Sequence, residues 1–383
     1  MGGMRGFALA AAVVAAVASV AGAVGAQESP TRARQVYDRA VALEEEGNHA
    51  AALSLLWEAS GLAPHDPDVQ NRLGEALERI GALDAAIDAY RRALAERPGF
   101  RKASNNLILA LVKTGNGPEA IERARALVAE SPKDPDRYFT LGLAQSEQDV
   151  DAAIATFRKV LELSPQHTLA RYNLALVLRR ADRLPEAITE LERAIATDPQ
   201  PEAHYTMGVI YWHQGDLDRA AAAFRAAIAA RPQFTEAYYA LGGVLKAKGD
   251  LAGAATALRR TIALQKDLST AHYTLGLVLE QMGDAAGGRS ELDQAERLRR
   301  RAELEHEALV STSVGIRKMQ EGDLPGALTQ FTRATEAFDD YAPAHYQRGL
   351  VLLRLGRQDD ARAAFGRAQQ LNPSLVPPRE VKR

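Results

Sequence analysis

Residues 201–234 read PEAHYTMGVIYWHQGDLDRAAAAFRAAIAARPQF, and residues 235–268 read TEAYYALGGVLKAKGDLAGAATALRRTIALQKDL. Each stretch has a glycine at its eighth position, a Gly-Asp pair at its fifteenth and sixteenth, and an alanine at its twentieth. A pattern that returns at a fixed interval of this length is typical of arrays of small helical units. The usual estimate of domain number from chain length therefore does not apply to this sequence.

The same pattern extends along most of the chain in ten blocks of about 34 residues, whose positions we number as places. The blocks begin near Ala33, Pro67, Arg101, Pro135, Thr168, Pro201, Thr235, Ser269, Ala308 and Ala342. Place 8 is Gly or Ala in nine blocks, and place 20 is Ala or Gly in all ten. Because two helices approach closely only where side chains are small, we expect places 8 and 20 to form the seam between paired helices.

Each block is predicted to hold two antiparallel helices. Large apolar residues recur on one helical face on either side of a central turn, at the spacing of an amphipathic helix. The turn carries glycine, as at Gly215 and Gly249, which accepts the left-handed conformation that ends a helix. Seven blocks close with a proline, which cannot continue a helix interior. These are Pro64, Pro98, Pro132, Pro165, Pro199, Pro232 and Pro373.

Small residues at place 8, alanine at place 20, an aromatic residue or leucine at place 24 and proline at place 32 resemble the tetratricopeptide repeat family. The resemblance covers nearly the whole chain after its first 26 residues. It implies an all-α fold, a right-handed α-solenoid of about ten antiparallel helix pairs, and a role in protein–protein contacts. The fourth and fifth blocks are each one residue short.

The N-terminal segment is typical of a secretory signal. Arg5 precedes an apolar run over residues 7–18, and residues 24–26 supply small side chains where a signal peptidase acts. We predict cleavage after Ala26 and a periplasmic or extracellular protein. The alternative is an uncleaved membrane anchor, because the run is at the lower limit of length for spanning a bilayer. The chain has no cysteine, so it holds itself together without disulfides.

The eighth block predicts a longer helix. Arg300 replaces its closing proline, and five extra residues precede the ninth block. Opposite charges four residues apart, Glu296/Arg300 and Arg299/Glu303, favour a continuous exposed helix that acts as an elbow. The predicted segments are a signal peptide (1–26), repeats 1 to 8 (27–302), a helical insertion (303–307), repeats 9 and 10 (308–375) and a flexible tail (376–383).

Composition and motifs indicate a binding protein that is not an enzyme. A formal charge of -2 provides no basic field for nucleic acid. Residues 283–290 imitate a P-loop, but Arg289 stands at the essential lysine and a predicted helix precedes the segment. Carboxylates are scattered, and no metal-binding motif is present, so we expect no cofactor. His204, His272 and His345 fall at place 4, where a packing role explains them.

In the related family the first helices line the concave side of the array, so places 5 and 9 predict a groove with an aromatic and aliphatic wall. The candidate groove residues are Asn105, Leu109, Phe139, Leu143, Tyr172, Leu176, Tyr205, Val209, Tyr239, Tyr273, Leu277 and Tyr346. The tyrosines either form an exposed peptide-binding column or pack against neighbouring helices, and the sequence leaves both possibilities open.

The function expected from these features is an exported scaffold that binds another protein or a peptide through its groove and serves a cell-envelope complex. The alternative is a factor associated with polysaccharide or peptidoglycan, because aromatic columns also stack on sugar rings. Self-association of two arrays is a further possibility.

Overall fold

The computed structural model describes residues 30–373 and 375–378, and the predicted signal peptide lies outside these residues. The described chain forms 19 α-helices and no strand, which confirms the predicted all-α solenoid. Contacts divide it into an N-terminal unit that ends at Asp293 and a C-terminal unit that begins at Gln294. No helix in the described part is long and apolar enough to cross a membrane.

The N-terminal unit consists of helix pairs in which each second helix also packs on the first helix of the next block. Its helices are α1 (Pro30–Glu45), α2 (His49–Leu62), α3 (Pro67–Arg79), α4 (Leu83–Glu96), α5 (Arg101–Lys113), α6 (Gly117–Glu130), α7 (Pro135–Gln145), α8 (Val150–Leu163), α9 (Thr168–Arg180), α10 (Leu184–Thr197), α11 (Pro201–His213), α12 (Leu217–Ala230), α13 (Thr235–Ala247), α14 (Leu251–Leu264) and α15 (Ser269–Gln281), followed by the start of α16 (Ala285–Gln320).

The C-terminal unit contains the rest of α16 and the helices α17 (Leu324–Ala337), α18 (Ala342–Arg354) and α19 (Gln358–Leu371). The predicted longer helix of the eighth block is present as α16, which extends further than expected, through the first helix of the ninth block. Arg299 binds Glu303 at 3.2 Å, as predicted, but Glu296 pairs with Arg299 at 2.7 Å and not with Arg300. The segment boundaries proposed at residues 302 and 308 fall inside this helix, and the elbow stays a prediction.

The seam between paired helices involves places 8 and 20, as predicted, and place 24 as well. A Cβ atom added to Gly208 would lie 2.6 Å from the Phe224 ring, so the glycine at place 8 makes room for the side chain at place 24. The place-20 alanines are fully buried beside this contact. Close approach of places 8 and 20 is clearest at Gly276, where an added Cβ would lie 3.0 Å from the Gly288 carbonyl oxygen.

Places 8 and 24 complement each other in volume. Glycine at place 8 faces Tyr or Phe at place 24 in five pairs and Leu in two. Alanine at place 8 is paired with Leu at place 24 in two blocks. The one large residue at place 8, Ile108, is paired with the small Ala124. The pairs are Ala40/Leu56, Gly74/Tyr90, Ile108/Ala124, Gly142/Phe157, Ala175/Leu191, Gly208/Phe224, Gly242/Leu258, Gly276/Leu292, Gly315/Phe331 and Gly349/Phe365. A small residue at one of the two places is thus matched by a larger residue at the other, which keeps the interior filled, as close-packed cores require.

The turn inside each pair uses a left-handed residue at place 15. Eight blocks have glycine there with φ between 75° and 88°. The fifth block has Asp182 at the same place with φ 58°, the one non-glycine residue with positive φ in the described chain. An L-residue with a Cβ atom pays a steric cost in this conformation that glycine does not.

Prolines mark the ends of second helices but are not what ends all of them. Each of the seven closing prolines stands two residues after a helix end, as Pro232 follows Ala230. However, α14 ends at Leu264 and α17 at Ala337, although Lys266 and Asp339 occupy place 32. Packing of the following first helix therefore also sets where a second helix stops.

Asp182→Gly should stabilise the fifth helix pair by about 0.5–1 kcal/mol, because glycine removes the steric cost of positive φ. The measurement is native-state hydrogen exchange of the amides in residues 178–187, which should slow. The reverse change at the equivalent place, Gly215→Asp, should speed exchange around residues 211–220. Faster exchange in Asp182→Gly would contradict this prediction, because it would mean that the Asp182 side chain stabilises the turn by more than its positive φ destabilises it.

Gly208→Ala should destabilise the chain by about 1–3 kcal/mol, because the added methyl group meets the Phe224 ring. Adding Phe224→Leu should recover about 1 kcal/mol relative to the sum of the single changes, because Ala with Leu is the combination found at Ala175/Leu191. Urea unfolding followed by circular dichroism provides the double-mutant cycle. Gly208→Ala combined with the distant Phe365→Leu is the control, and equal additivity in both cycles would refute the pairing.

Candidate protein-binding site

The candidate groove residues occupy the first helices of successive blocks. We call the surface formed by places 5 and 9 of these helices the first-helix face. Its place-5 rings rest on the place-24 rings of their own blocks, with centroids 6.0 Å apart for Phe139 and Phe157 and 5.5 Å apart for Tyr205 and Phe224. The core contact that closes each helix pair therefore also supports the aromatic side chains of the face.

The aromatic side chains at place 5, which we call the aromatic column, are neither fully exposed nor fully buried. Phe139, Tyr172, Tyr205 and Tyr239 are partly buried, whereas Tyr273 is 54% exposed. Burial raises the pKa of the Tyr205 hydroxyl, which stays neutral and able to donate a hydrogen bond. One part of each ring therefore packs, and the other part remains exposed.

Hydroxyl groups connect the column between repeats. The Tyr172 hydroxyl lies 3.4 Å from Thr206 Oγ1, and the Tyr239 hydroxyl lies 3.5 Å from Thr274 Oγ1. In both cases place 5 of one block meets place 6 of the next block. These contacts are long, so they orient the tyrosines more than they stabilise the array.

Place 9 adds aliphatic surface to the same face. The predicted groove residues at place 9 are all partly buried: Leu109, Leu143, Leu176, Val209 and Leu277. The exception is Gly243, where an added Cβ would lie 2.9 Å from Trp212 Cη2. Trp212 packs in this notch and remains 38% exposed, so it joins the face. The sequence analysis did not identify Trp212 as part of the face. The glycine at place 9 of the next block, Gly243, could have indicated that a large side chain fills the space beside it.

The first three blocks present a polar network where an apolar wall was expected. Asn71 Nδ2 donates to Glu75 Oε1 at 2.8 Å, and Lys102 Nζ lies 2.7 Å from the same oxygen. Asn106 Nδ2 donates to Asn71 Oδ1 at 3.2 Å. The predicted groove residue Asn105 is partly buried beside it, and its Oδ1 has no hydrogen-bond partner in the described structure. From Phe139 onward, five consecutive blocks have an aromatic side chain at place 5.

Glu44 extends this polar end. Its carboxylate accepts from Arg72 Nε at 2.5 Å and from Arg79 Nη1 at 2.8 Å, and its side chain is only 6% exposed. Two guanidinium groups on a largely buried carboxylate compensate its desolvation. The first-helix face of the N-terminal unit thus has a charged end and an aromatic end.

Four side chains at place 4 join consecutive blocks, a role that the sequence did not reveal. Each of the four donates to the main-chain carbonyl oxygen six residues earlier, at place 32, in the loop between blocks. The pairs are Gln70 with Pro64 (3.0 Å), Arg171 with Pro165 (2.7 Å), His272 with Lys266 (3.0 Å) and His345 with Asp339 (2.8 Å). Two of the three place-4 histidines, His272 and His345, are therefore structural donors.

In the described chain, no group of three or more histidine, aspartate or glutamate side chains could hold a metal ion. The segment that imitates a P-loop is the turn before α16, where Asp284 Oδ1 accepts from the Gly287 amide at 2.8 Å. That carboxylate already caps the helix N-terminus, the place where a phosphate would bind.

An open recess of about 930 Å³ is lined by residues 214–219 and Lys248. Its charges are paired inside it, with Arg219 Nε 2.5 Å from Asp216 Oδ2 and Lys248 bonded to Asp218. The Arg219 guanidinium also lies 4.7 Å from the Tyr211 ring centroid. The recess therefore offers no unpaired charge to orient an ionic substrate.

Helix pairs stacked through place 8 and place 24, with a partly exposed first-helix face, define a helical-repeat protein built for binding. Profiles described as Tetratricopeptide repeat match residues 37–100, 72–135, 105–167, 205–269 and 315–375, and a further one matches residues 144–210. The chain belongs to the tetratricopeptide repeat family. This membership supports a role as a scaffold for protein–protein contacts and matches the resemblance found in the sequence.

Solved structures with the same repeats are similar to this chain. A tetratricopeptide repeat protein from Parabacteroides merdae is 18% identical, with a TM-score of 0.52 over 64% of this chain and 98% of its own. A thermophilic tetratricopeptide repeat protein from Thermus thermophilus is 24% identical, with a TM-score of 0.42 over 47% and 98%. MamA from Desulfovibrio magneticus is 23% identical, with a TM-score of 0.40 over 46% and 98%. The first of these similarities concerns the fold alone.

The C-terminal unit should lose stability as the pH falls from 7 to 5. Burial lowers the pKa of His345, so the folded unit holds this ring neutral. The unfolded chain takes up the proton near the ordinary histidine pKa of about 6.5, and the unfolded state then binds more protons than the folded one. The stabilisation is complete above that pH and decreases through the window between the ordinary and the lowered pKa.

His345→Gln provides the control, because glutamine at the same place already makes the equivalent bond at Gln70. This variant should match the unmodified chain at pH 7 and show a smaller loss at pH 5, measured by urea unfolding at both values. An unchanged pH dependence would assign the effect to other groups.

Proposed function

We propose that the chain is an exported scaffold that binds a segment of another protein on the first-helix face of its N-terminal unit. Through this contact it helps to assemble or regulate a complex of the cell envelope. The observation that carries the proposal is the column of partly exposed aromatic side chains supplied by five consecutive blocks. They are Phe139, Tyr172, Tyr205, Tyr239 and Tyr273.

Physical reasons favour this face over the rest of the surface. Its rings are held from below by place-24 side chains, so little conformational entropy is lost when a ligand covers them. Tyrosine and tryptophan offer a large apolar area together with a polar group, which is why they dominate the energetics of many interfaces. Tyr273 and Trp212 expose large fractions of their surface, 54% and 38%.

The charged end and the aromatic end together suggest how a ligand lies. A segment that runs along the first-helix face meets aromatic and aliphatic side chains over blocks four to eight, and the network of Asn71, Glu75 and Lys102 over blocks two and three. Apolar anchors at one end and polar residues at the other suit such a segment. The charged end contributes mainly to orientation and selectivity.

The export part of the proposal rests on residues 1–26, whose apolar run and small residues before Gln27 are those of a cleaved signal. A periplasmic or extracellular location follows from cleavage. The absence of cysteine is compatible with this location, because the array is stabilised by packing between neighbouring repeats.

The test is affinity capture from an envelope extract of the source organism, with residues 27–383 as bait. Tyr273→Ala should weaken retention of the partner at least about tenfold, the effect of losing roughly 1.4 kcal/mol at an aromatic anchor. Met282→Ala is the matched control, because Met282 is 46% exposed in the same block but lies off the face. The native protein in this extract should begin at Gln27.

Each outcome has a distinct meaning. A protein retained by the unmodified bait and by Met282→Ala, but weakly by Tyr273→Ala, supports the scaffold and its face. Equal retention by all three baits leaves the scaffold in place and rejects the face. Retention of envelope polysaccharide by the purified chain, lost in Tyr273→Ala, would favour the glycan-associated alternative.

A further inference from the structure

Tyr346, a predicted groove residue, already has an occupant. Its ring packs on Phe365 with centroids 5.4 Å apart, as place-5 rings do elsewhere. Its hydroxyl donates to the main-chain carbonyl oxygen of Val376 at 3.3 Å. The chain leaves α19 at Leu371, turns with the Leu375 amide donating to the Asn372 carbonyl, and returns to the first-helix face of the C-terminal unit.

We propose that the C-terminal segment is a built-in ligand of this face. The first-helix face of the C-terminal unit binds extended, proline-containing main chain, and residues 375–378 occupy it until an external segment of the same chemistry displaces them. The inference rests on the proposed function, because it takes the first-helix face as the binding surface and adds what that face recognises.

The chemistry of the segment suits such a site. Residues 375–378 belong to no helix or strand, and the sequence around them contains Pro373, Pro377 and Pro378. Proline lacks an amide donor and keeps φ near about -65°, which favours an extended backbone with solvated carbonyl groups. A tyrosine hydroxyl that donates to one of those carbonyls recognises the main chain without requiring a particular side chain.

The partner of the Tyr346 hydroxyl differs from those of its equivalents. In the N-terminal unit the hydroxyls of Tyr172 and Tyr239 lie beside threonines at place 6 of the following blocks. The Tyr346 hydroxyl donates to the Val376 carbonyl oxygen instead. The group that meets a neighbouring repeat elsewhere therefore meets extended main chain here.

The segment is only partly covered. Val376 is 61% exposed, and Leu375, Pro377 and Pro378 are partly buried. This limited burial favours exchange with an external segment.

The absence of cysteine makes a distance measurement clean. Val376→Cys and the exposed Arg354→Cys, both spin-labelled in the full chain, report the separation of the segment from α18 by double electron–electron resonance. The expected result is a narrow distance component from the bound segment. Adding Tyr346→Phe should lower the ratio of bound to unbound segment about 2- to 12-fold, the effect of one ordinary hydrogen bond. Tyr239→Phe, in the N-terminal unit, is the matched control and should change nothing.

The competitor is a synthetic peptide with the sequence of residues 372–383. Its addition in excess should replace the narrow component with a broad one, because it offers the same main chain in trans. A narrow component that survives the peptide would make the segment a permanent cap and overturn the proposal. So would a broad distribution from the start, or an unchanged one in Tyr346→Phe. None of these results alters the Tyr273 comparison, so this inference can fail while the proposed function stands.

Discussion

The contact between place 8 of a first helix and place 24 of its second helix is the constraint on which the rest of the structure depends. A glycine there allows an aromatic ring to lie against the backbone of the neighbouring helix, as Phe224 does at Gly208. The ring then supports the next layer, because Tyr205 packs on Phe224 and Tyr346 packs on Phe365. The surface proposed to bind a partner is therefore the outer layer of the same packing that closes each helix pair.

Consecutive blocks are joined by a different set of interactions. Second helices pack on the following first helices, and place-4 donors such as His345 hydrogen-bond to the loop between blocks. Hydroxyl contacts such as Tyr172 with Thr206 cross the same junctions on the first-helix face. Each block thus depends on its neighbours. At Tyr346 the hydroxyl contact is made with the C-terminal segment instead of a threonine.

The two ends of the N-terminal unit differ in chemistry although they share one backbone pattern. Glu44 and Glu75 are held by arginine, lysine and asparagine side chains in the first three blocks, whereas aromatic and aliphatic side chains take the equivalent positions from Phe139 onward. Repetition thus supplies a constant scaffold, and substitutions at places 5, 6 and 9 supply the variation. Binding specificity in such an array is a property of those few places.

The sequence by itself determined the repeat, the helix pairs, the turn glycines and the positions at which candidate groove residues stand, because these depend on spacing within one block. Only the tertiary structure decided what each position contacts. It showed that place 8 meets place 24, that Trp212 packs in the notch at Gly243, and that Asn71, Asn106 and Glu75 form one network. It also showed the carbonyl of Val376 at Tyr346. Such contacts join residues from different helices and blocks, and their partners depend on how the helices pack, which the period of a sequence does not encode.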